Sequence, residues 1–239
     1  MTIKDLIRPL VPGRIRELRN LLDRAGPLYR RHCPICGYHG FFTNDGRPIR
    51  IDARCPKCRS LERHRLFWLW FKEHQAQLKE PVLHFAAALV LQRKLRARFT
   101  DYTTADLFRP ADLRLNIEAI DLPDGSLNTV ICNHVLEHVD DMQALSELHR
   151  ILADDGRLVV SVPIVEGWDH TYENPDITDP LLREVHFGQN DHVRFYGRDF
   201  RDRLRDAGFT DIDEVTAMGP AVIEYGLDRG EKFFVCRKH

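Results

Sequence analysis

From residue 81 onward, short apolar runs alternate with amphipathic stretches. The run at 82–87 (VLHFAA) predicts a strand, followed by a helix to about residue 98. Residues 102–105 predict a second strand, 115–117 a short third, and 127–133, with Thr-Val-Ile-Cys at its centre, a fourth. Met142, Leu145, Leu148 and Leu152 share one face of a helix expected at 141–152, with Asp155-Gly156 as its stop. A fifth strand at 158–162 is as continuously apolar as a strand buried on both faces. A polar, aromatic, irregular segment occupies 164–197. A helix at 198–207 then stops at Gly208, and strands are expected at 211–216 and 232–237. Strand–helix alternation of this kind predicts an α/β fold with a mostly parallel, doubly wound sheet.

The first 80 residues follow a different pattern. Ile15, Leu18 and Leu22 line one face of a short basic helix at 14–25, stopped by Gly26-Pro27. Residues 32–59 are rich in turn formers, and two cysteine pairs sit among them. Ser60 is the expected N-cap of a helix to about residue 77. That helix carries Leu61, Leu66, Phe67, Leu69, Trp70 and Phe71, too many apolar residues for a lightly packed surface helix. The expected organisation is a basic N-terminal helical segment (1–31), a cysteine module (32–59), a connecting helix (60–79) and an α/β domain (80–239).

Charge sharpens this division. The chain has 239 residues and a formal charge of −1. Residues 1–70 nevertheless hold 15 Lys/Arg against 6 Asp/Glu, while the rest hold 20 against 30. A basic N-terminal part fits a phosphate-bearing partner, or equally the acidic remainder of the same chain. The opening residues have scattered charges and no apolar signal core, and no run approaches the ~20 apolar residues of a membrane span. The expected location is cytoplasmic, where cysteines read as metal ligands before disulfides.

Cys33-Pro-Ile-Cys36 and Cys55-Pro-Lys-Cys58 are separated by 18 residues. That is the spacing of a zinc ribbon, in which two turns each aim two thiolates at one ion and close a structural shell. No thioredoxin-like context supports a redox reading of the pairs. Cys132 and Cys236 fall in apolar runs and read as core residues.

Several blocks resemble the class I S-adenosylmethionine-dependent methyltransferases of the type 11 group, in a bacterial branch with an N-terminal four-cysteine zinc ribbon. They are CPxC…CPKCRSLERHR (33–65), VLHFAAA (82–88), TADLF (104–108), NIEAIDLPDGSLNTVICNHVLEHVDD (116–141) and DHVRFYGRDF (191–200). The resemblance implies a Rossmann-like sheet and two cofactors, S-adenosylmethionine and structural zinc. It places His84 and Ala86 at the first strand end. Asp106 would bind the ribose, Asn116 and Ile117 the adenine, and Asn133 the region of the methyl group. His134 is implied as a general base or as the group that orients the acceptor, and Glu137 and His138 as helix braces. The segment 164–197 is expected to be a lid over the acceptor. Alternation in its last part puts His192, Arg194 and Tyr196 on one side, over a pocket. The family's first loop carries glycines, whereas this chain reads Ala86-Ala87-Ala88.

Three functions are compatible with these residues. The first is methylation of a small molecule, sugar or peptide-derived metabolite. The second is RNA modification, with the ribbon gripping nucleic acid; against it, the ribbon offers only Tyr38, Phe41 and Phe42 for stacking. The third is non-catalytic binding, to which the glycine-less loop points.

Overall fold

The computed structural model describes residues 29–46 and 49–239, so the basic helix expected at 14–25 lies outside the described residues. Four short strands come first. β1 (Arg30–His32) pairs antiparallel with β2 (His39–Phe41), and β3 (Thr43–Asp45) with β4 (Arg50–Arg54). Helix α1 spans Glu62–His74 and runs into one 3-10 turn at Gln75–Gln77. Its cap is Leu61 rather than Ser60, and the Leu61 amide donates to His64 Nδ1 at 3.1 Å. Ser60 is diverted by the cysteines. Its Oγ lies 3.4 Å from Cys33 Sγ and 3.3 Å from Cys58 Sγ, and its carbonyl accepts the Cys55 amide.

The main sheet has the order β11-β12-β8-β7-β5-β6. Four of these strands run parallel: β5 (Val82–Phe85), β6 (Tyr102–Ala105), β7 (Leu127–Asn133) and β8 (Leu152–Ser161). β12 (Lys232–Arg237) is antiparallel to both β8 and β11 (Asp211–Thr216). Helices α2 (Leu89–Arg96), α3 (Asp141–Ile151), α4 (Pro180–Phe187), α5 (Phe200–Asp206) and α6 (Pro220–Tyr225) complete a doubly wound, Rossmann-like arrangement. Strands β9 (Tyr172–Glu173) and β10 (Arg194–Phe195) form a small antiparallel pair outside it. No helix among the described residues is long and apolar enough to cross a membrane.

The third strand expected at 115–117 does not form. Leu113 bridges to Ala105, while the chain turns back at Asn116, whose carbonyl accepts the Ala119 amide and whose Oδ1 accepts the Glu118 amide at 3.1 Å. A side chain that satisfies the backbone locally removes the need for a ladder. Asp155-Gly156 does not stop α3 either. The helix ends at Ile151, and β8 begins at Leu152 and passes through both residues.

Successive residues along the central strands enter opposite cores, as period-two geometry requires. Val82, Ile131, Val159, Phe233 and Val235 face one side, and Leu83, Val130, Cys132, Val160 and Phe234 the other. Helices α3 and α5 cover the second side. The first is covered by α1 together with Cys33, Ile35, Phe42 and Cys55, so the cysteine module shares one continuous core with the sheet. Arg65 stitches this face together. Fully buried, it donates to the carbonyls of Ser60, Ala53, Tyr225 and Gly226, with its guanidinium 4.6 Å from the Phe42 ring centre.

Candidate functional site

Pairing in register brings the C-terminal ends of β5, β6, β7 and β8 to one edge. Phe85 stands beside both Ala105 and Cys132, and Asn133 beside Ser161. Two backbone bonds continue the alignment past the strands, from the Ala86 amide to the Ala105 carbonyl (2.9 Å) and from the His134 amide to the Ser161 carbonyl (2.8 Å). In open α/β sheets ligands bind outside this edge. A narrow cleft opens here, lined in part by Asn133 and Ser161 from the sheet, Arg63 and His64 from α1, and Glu231 and Lys232. Arg63 and His64 escaped the sequence reading, because nothing in the pattern says that the start of α1 crosses the strand ends. His64 accepts a hydrogen bond at Nδ1, and burial, together with the neighbouring Arg63 charge, lowers its pKa to about 3; it stands there as a neutral imidazole.

The residues implied for the cofactor divide into two groups. Ala86 is exposed at the end of β5 with φ 48°, the left-handed conformation that glycine adopts most readily. The turn keeps that shape without the residue that favours it. Asp106 Oδ1 accepts the amides of Phe108 and Arg109, both at 2.8 Å, and among the described residues Oδ2 has no donor. Asn133 is half-buried at the end of β7, with Oδ1 accepting from Ser161 Oγ at 2.9 Å. Asn116 is half-buried in its turn, and Ile117 sinks its side chain into the second core. His84 falls outside this group. It is 2 % exposed, points to the first core and holds the Tyr102 hydroxyl at 2.7 Å through Nδ1. Tyr102, one strand over in the same core, supplies a partner that draws the imidazole away from the edge.

His134 begins the turn after β7 with φ 55°. Burial by itself would lower its pKa, but Glu137 at 3.2 Å from Nδ1 and Glu231 at 3.9 Å from Nε2 outweigh it and raise the pKa to about 9. At 3.9 Å the second approach is an ion pair and not a hydrogen bond. An imidazole held as a cation is a hydrogen-bond donor and a positive charge. Of the two roles expected of His134, a cation suits orienting the acceptor rather than taking its proton. Its partner Glu137 is 1 % exposed, and among the described residues its Oε2 has no hydrogen-bond partner.

The 164–197 segment returns over this region and is more ordered than its composition suggests. β9 and β10 pair, α4 lies between them, and Trp168 packs edge-on against Tyr172 and Phe195. Arg194 and Tyr196 do not form the open polar face that alternation predicts. Arg194 donates to Glu173 (2.8 Å) and to the carbonyls of Leu136 (3.0 Å) and Val139 (2.6 Å). The Tyr196 hydroxyl donates to the Leu136 carbonyl (3.1 Å) and Asp141 (3.0 Å). Buried carboxylate and carbonyl acceptors beneath the segment take both side chains inward, where they pin it to the turn after β7. His192 is also buried, edge-on to His138 at 4.7 Å.

On the first face, Cys33, Cys36, Cys55 and Cys58 bring their four sulfurs within 4.8 Å of one another. Cys33 and Cys58 are 3.6 Å apart, and Cys36 and Cys55 3.7 Å. The two turns are built alike. The Gly37 amide donates to Cys33 and the Arg59 amide to Cys55, and Gly37 and Arg59 both have positive φ. The hydrogen bond from Cys58, more than any other contact, holds the Cys33 thiol down at about 4.

A family model described as a methyltransferase domain matches residues 14–214. An uncharacterised protein of Methanocaldococcus jannaschii is 43% identical over 47 residues, which are 20% of this chain and 21% of that protein. The chain spans about a fifth to a quarter of the length of the curated relatives it matches. Among solved structures, the [4+2]-cyclase SpnF aligns with a TM-score of 0.50 at 14% identity, over 73% of this chain and 80% of that one. A 1,6-didemethyltoxoflavin-N1-methyltransferase of Burkholderia thailandensis, solved with S-adenosylhomocysteine, aligns with a TM-score of 0.47 at 19% identity, over 71% and 75%. The likeness to SpnF is one of fold.

Proposed function

We infer the function from one premise, that this chain belongs to the methyltransferase-domain family: it transfers a methyl group from S-adenosylmethionine to a small polar acceptor such as a metabolite, a sugar or a peptide-derived intermediate. The observation that carries this reading is the strand edge itself. Ala86 keeps a glycine-like turn at the end of β5, and Asp106 keeps an acceptor oxygen at the end of β6. These are the two features an adenosine ligand needs there, close approach of backbone and a carboxylate for the ribose hydroxyls. Asn116 and the backbone of Ile117 would serve the adenine, and Asn133 would lie nearest the reacting end.

When bound, S-adenosylmethionine supplies a methyl group on a positively charged sulfur, ready for in-line displacement. The residues of this chain align and orient. His134 as a cation beside the end of β7, and Arg63 and Lys232 in the neighbouring cleft, supply positive charge toward an electronegative group of the acceptor. Arg194 and Tyr196 keep the lid seated, and the lid excludes water. The four cysteines hold one structural zinc. A tetrahedron of Zn–S bonds of about 2.3 Å separates its sulfurs by roughly 3.8 Å, close to the two spacings observed.

Calorimetry with S-adenosylmethionine tests the central reading. The wild type is expected to bind, and Asp106→Ala to bind at least tenfold more weakly, the loss of ~1.5–3 kcal/mol that a charge-assisted hydrogen bond represents. A wild type that gives no heat at millimolar ligand refutes it.

A further inference from the structure

Three polar groups meet beside His134, and apart from the pairing of one Glu137 oxygen with His134 they have no part in the proposed transfer. Glu137 and His138 occupy the 3-10 turn Leu136–His138 after β7, and His192 precedes β10 in the lid. One ligand atom from each lies within 4.8 Å of the other two. Glu137 is 1 % exposed and His192 4 %, and among the described residues Glu137 Oε2 and His192 Nδ1, both buried, have no hydrogen-bond partner. Each orphaned lone pair costs roughly 1–3 kcal/mol. Two of them converge on one point, and a cation satisfies both.

The third ligand is already oriented. His138 Nδ1 lies 3.2 Å from the Asp191 carbonyl and 3.4 Å from its carboxylate, so that nitrogen carries the proton and Nε2 keeps its lone pair. A carboxylate behind a histidine in this way is the usual outer support of a metal ligand. The backbone is fixed as well. The Val193 amide donates to the Glu137 carbonyl at 2.9 Å, and Arg194 and Tyr196 clamp Leu136. From these positions small side-chain rotations bring the ligands onto a shell of radius about 2.1 Å.

We propose that Glu137, His138 and His192 bind one divalent transition-metal cation that ties the lid to the turn after β7. Two imidazoles and one carboxylate suit zinc, iron(II), cobalt or manganese, and three protein ligands leave at least one position open. His138 is partly exposed, which puts the open side toward solvent and the crevice. Glu137 uses its other oxygen for His134, so the ion and the imidazole share one carboxylate.

The test uses the full chain loaded with a single equivalent of zinc, which the four thiolates take first, and freed of any excess. Cobalt(II) is then titrated, followed by calorimetry and visible absorption. One further equivalent per chain is expected, with ligand-field bands but without the thiolate charge-transfer absorption of a cysteine site. His192→Ala and His138→Ala should each weaken it more than tenfold. His138 is partly exposed, so its variant should keep the wild-type melting profile and separate loss of metal from loss of fold. Asp191→Ala should weaken binding by about 10–100-fold, while Cys55→Ser should leave the second equivalent in place. A wild type that takes up no cobalt beyond the cysteine site overturns the proposal, as does a second equivalent indifferent to both histidine substitutions. Neither result depends on S-adenosylmethionine binding.

Discussion

The two faces of the sheet are sealed by different chemistry. On the second face, α3 and α5 bring a regular apolar stripe, and Asp141, buried at the start of α3, gathers Arg203 (2.9 Å), Arg194 (3.2 Å) and the Tyr196 hydroxyl. That network is complete with the side chains the chain provides. The first face is covered by short two-stranded pieces with little core of their own. Their apolar residues join the core beneath the sheet beside two turns that bring Cys33, Cys36, Cys55 and Cys58 together. The comparison teaches that one side of a single sheet can be closed by ordinary side-chain packing while the other also gathers a cluster of four thiols.

The largest expected effect breaks the first face alone. Chelation of the proposed zinc, or Cys55→Ser, should lower the melting temperature by about 10 °C or more, at ~2–4 °C per kcal/mol for a chain of this size. Hydrogen exchange should rise first in β1–β4 and α1, and last in β7 and α3. An unchanged melt would mean that both faces are self-sufficient. Next comes Asp141→Asn, which removes the charge but keeps the shape. Arg203 and Arg194 keep Glu173, so losing one of their two carboxylates should cost about 1–3 kcal/mol in denaturant unfolding. Metal content should be unaltered, and a loss of zinc in this variant would show that the faces are coupled. The smallest effect belongs to the edge between them. Ala86→Gly relieves a left-handed alanine, worth roughly 1–2 kcal/mol, and adds chain entropy of about 0.5–1 kcal/mol. A net gain of ~0.5–1 kcal/mol in stability, with cofactor affinity equal or better, is expected from melting and calorimetry.

Legibility followed how local the deciding interaction is. The strands at Tyr102–Ala105, Leu127–Asn133, Asp211–Thr216 and Lys232–Arg237 have the bounds that their apolar runs announce. The cysteines lie where their spacing puts them. Two helices were missed although their signal was present. Both α4 and α6 begin with Pro180 or Pro220 in the first turn and end at a left-handed glycine, Gly188 or Gly226. That asymmetry marks a helix even where the apolar stripe is weak. Side-chain direction at the edge was a different matter. His84 is decided by Tyr102 18 residues away, Arg194 by carbonyls 55 and 58 away, and the Glu137–His192 meeting by the lid's return. No local pattern encodes such partners, and Glu137, read from the sequence as a brace, also forms a charge pair with His134, with one oxygen left without a partner among the described residues.

The shared core of the first face also sets an order of events during synthesis. The cysteine turns are made early, yet Arg65 finds its carbonyl partners at Tyr225 and Gly226, 160 and 161 residues further on. Phe233 and Val235 belong to the same cluster, on a strand inserted between β8 and β11. The nascent module can gather its sulfurs but cannot bury Phe67, Trp70 and Phe71 until that strand leaves the ribosome. For most of translation it waits with an aromatic surface uncovered, and contacts this distant in sequence make final docking slow. The protein should therefore fold in two stages, a fast closure of the cysteine turns and a late collapse of the first face.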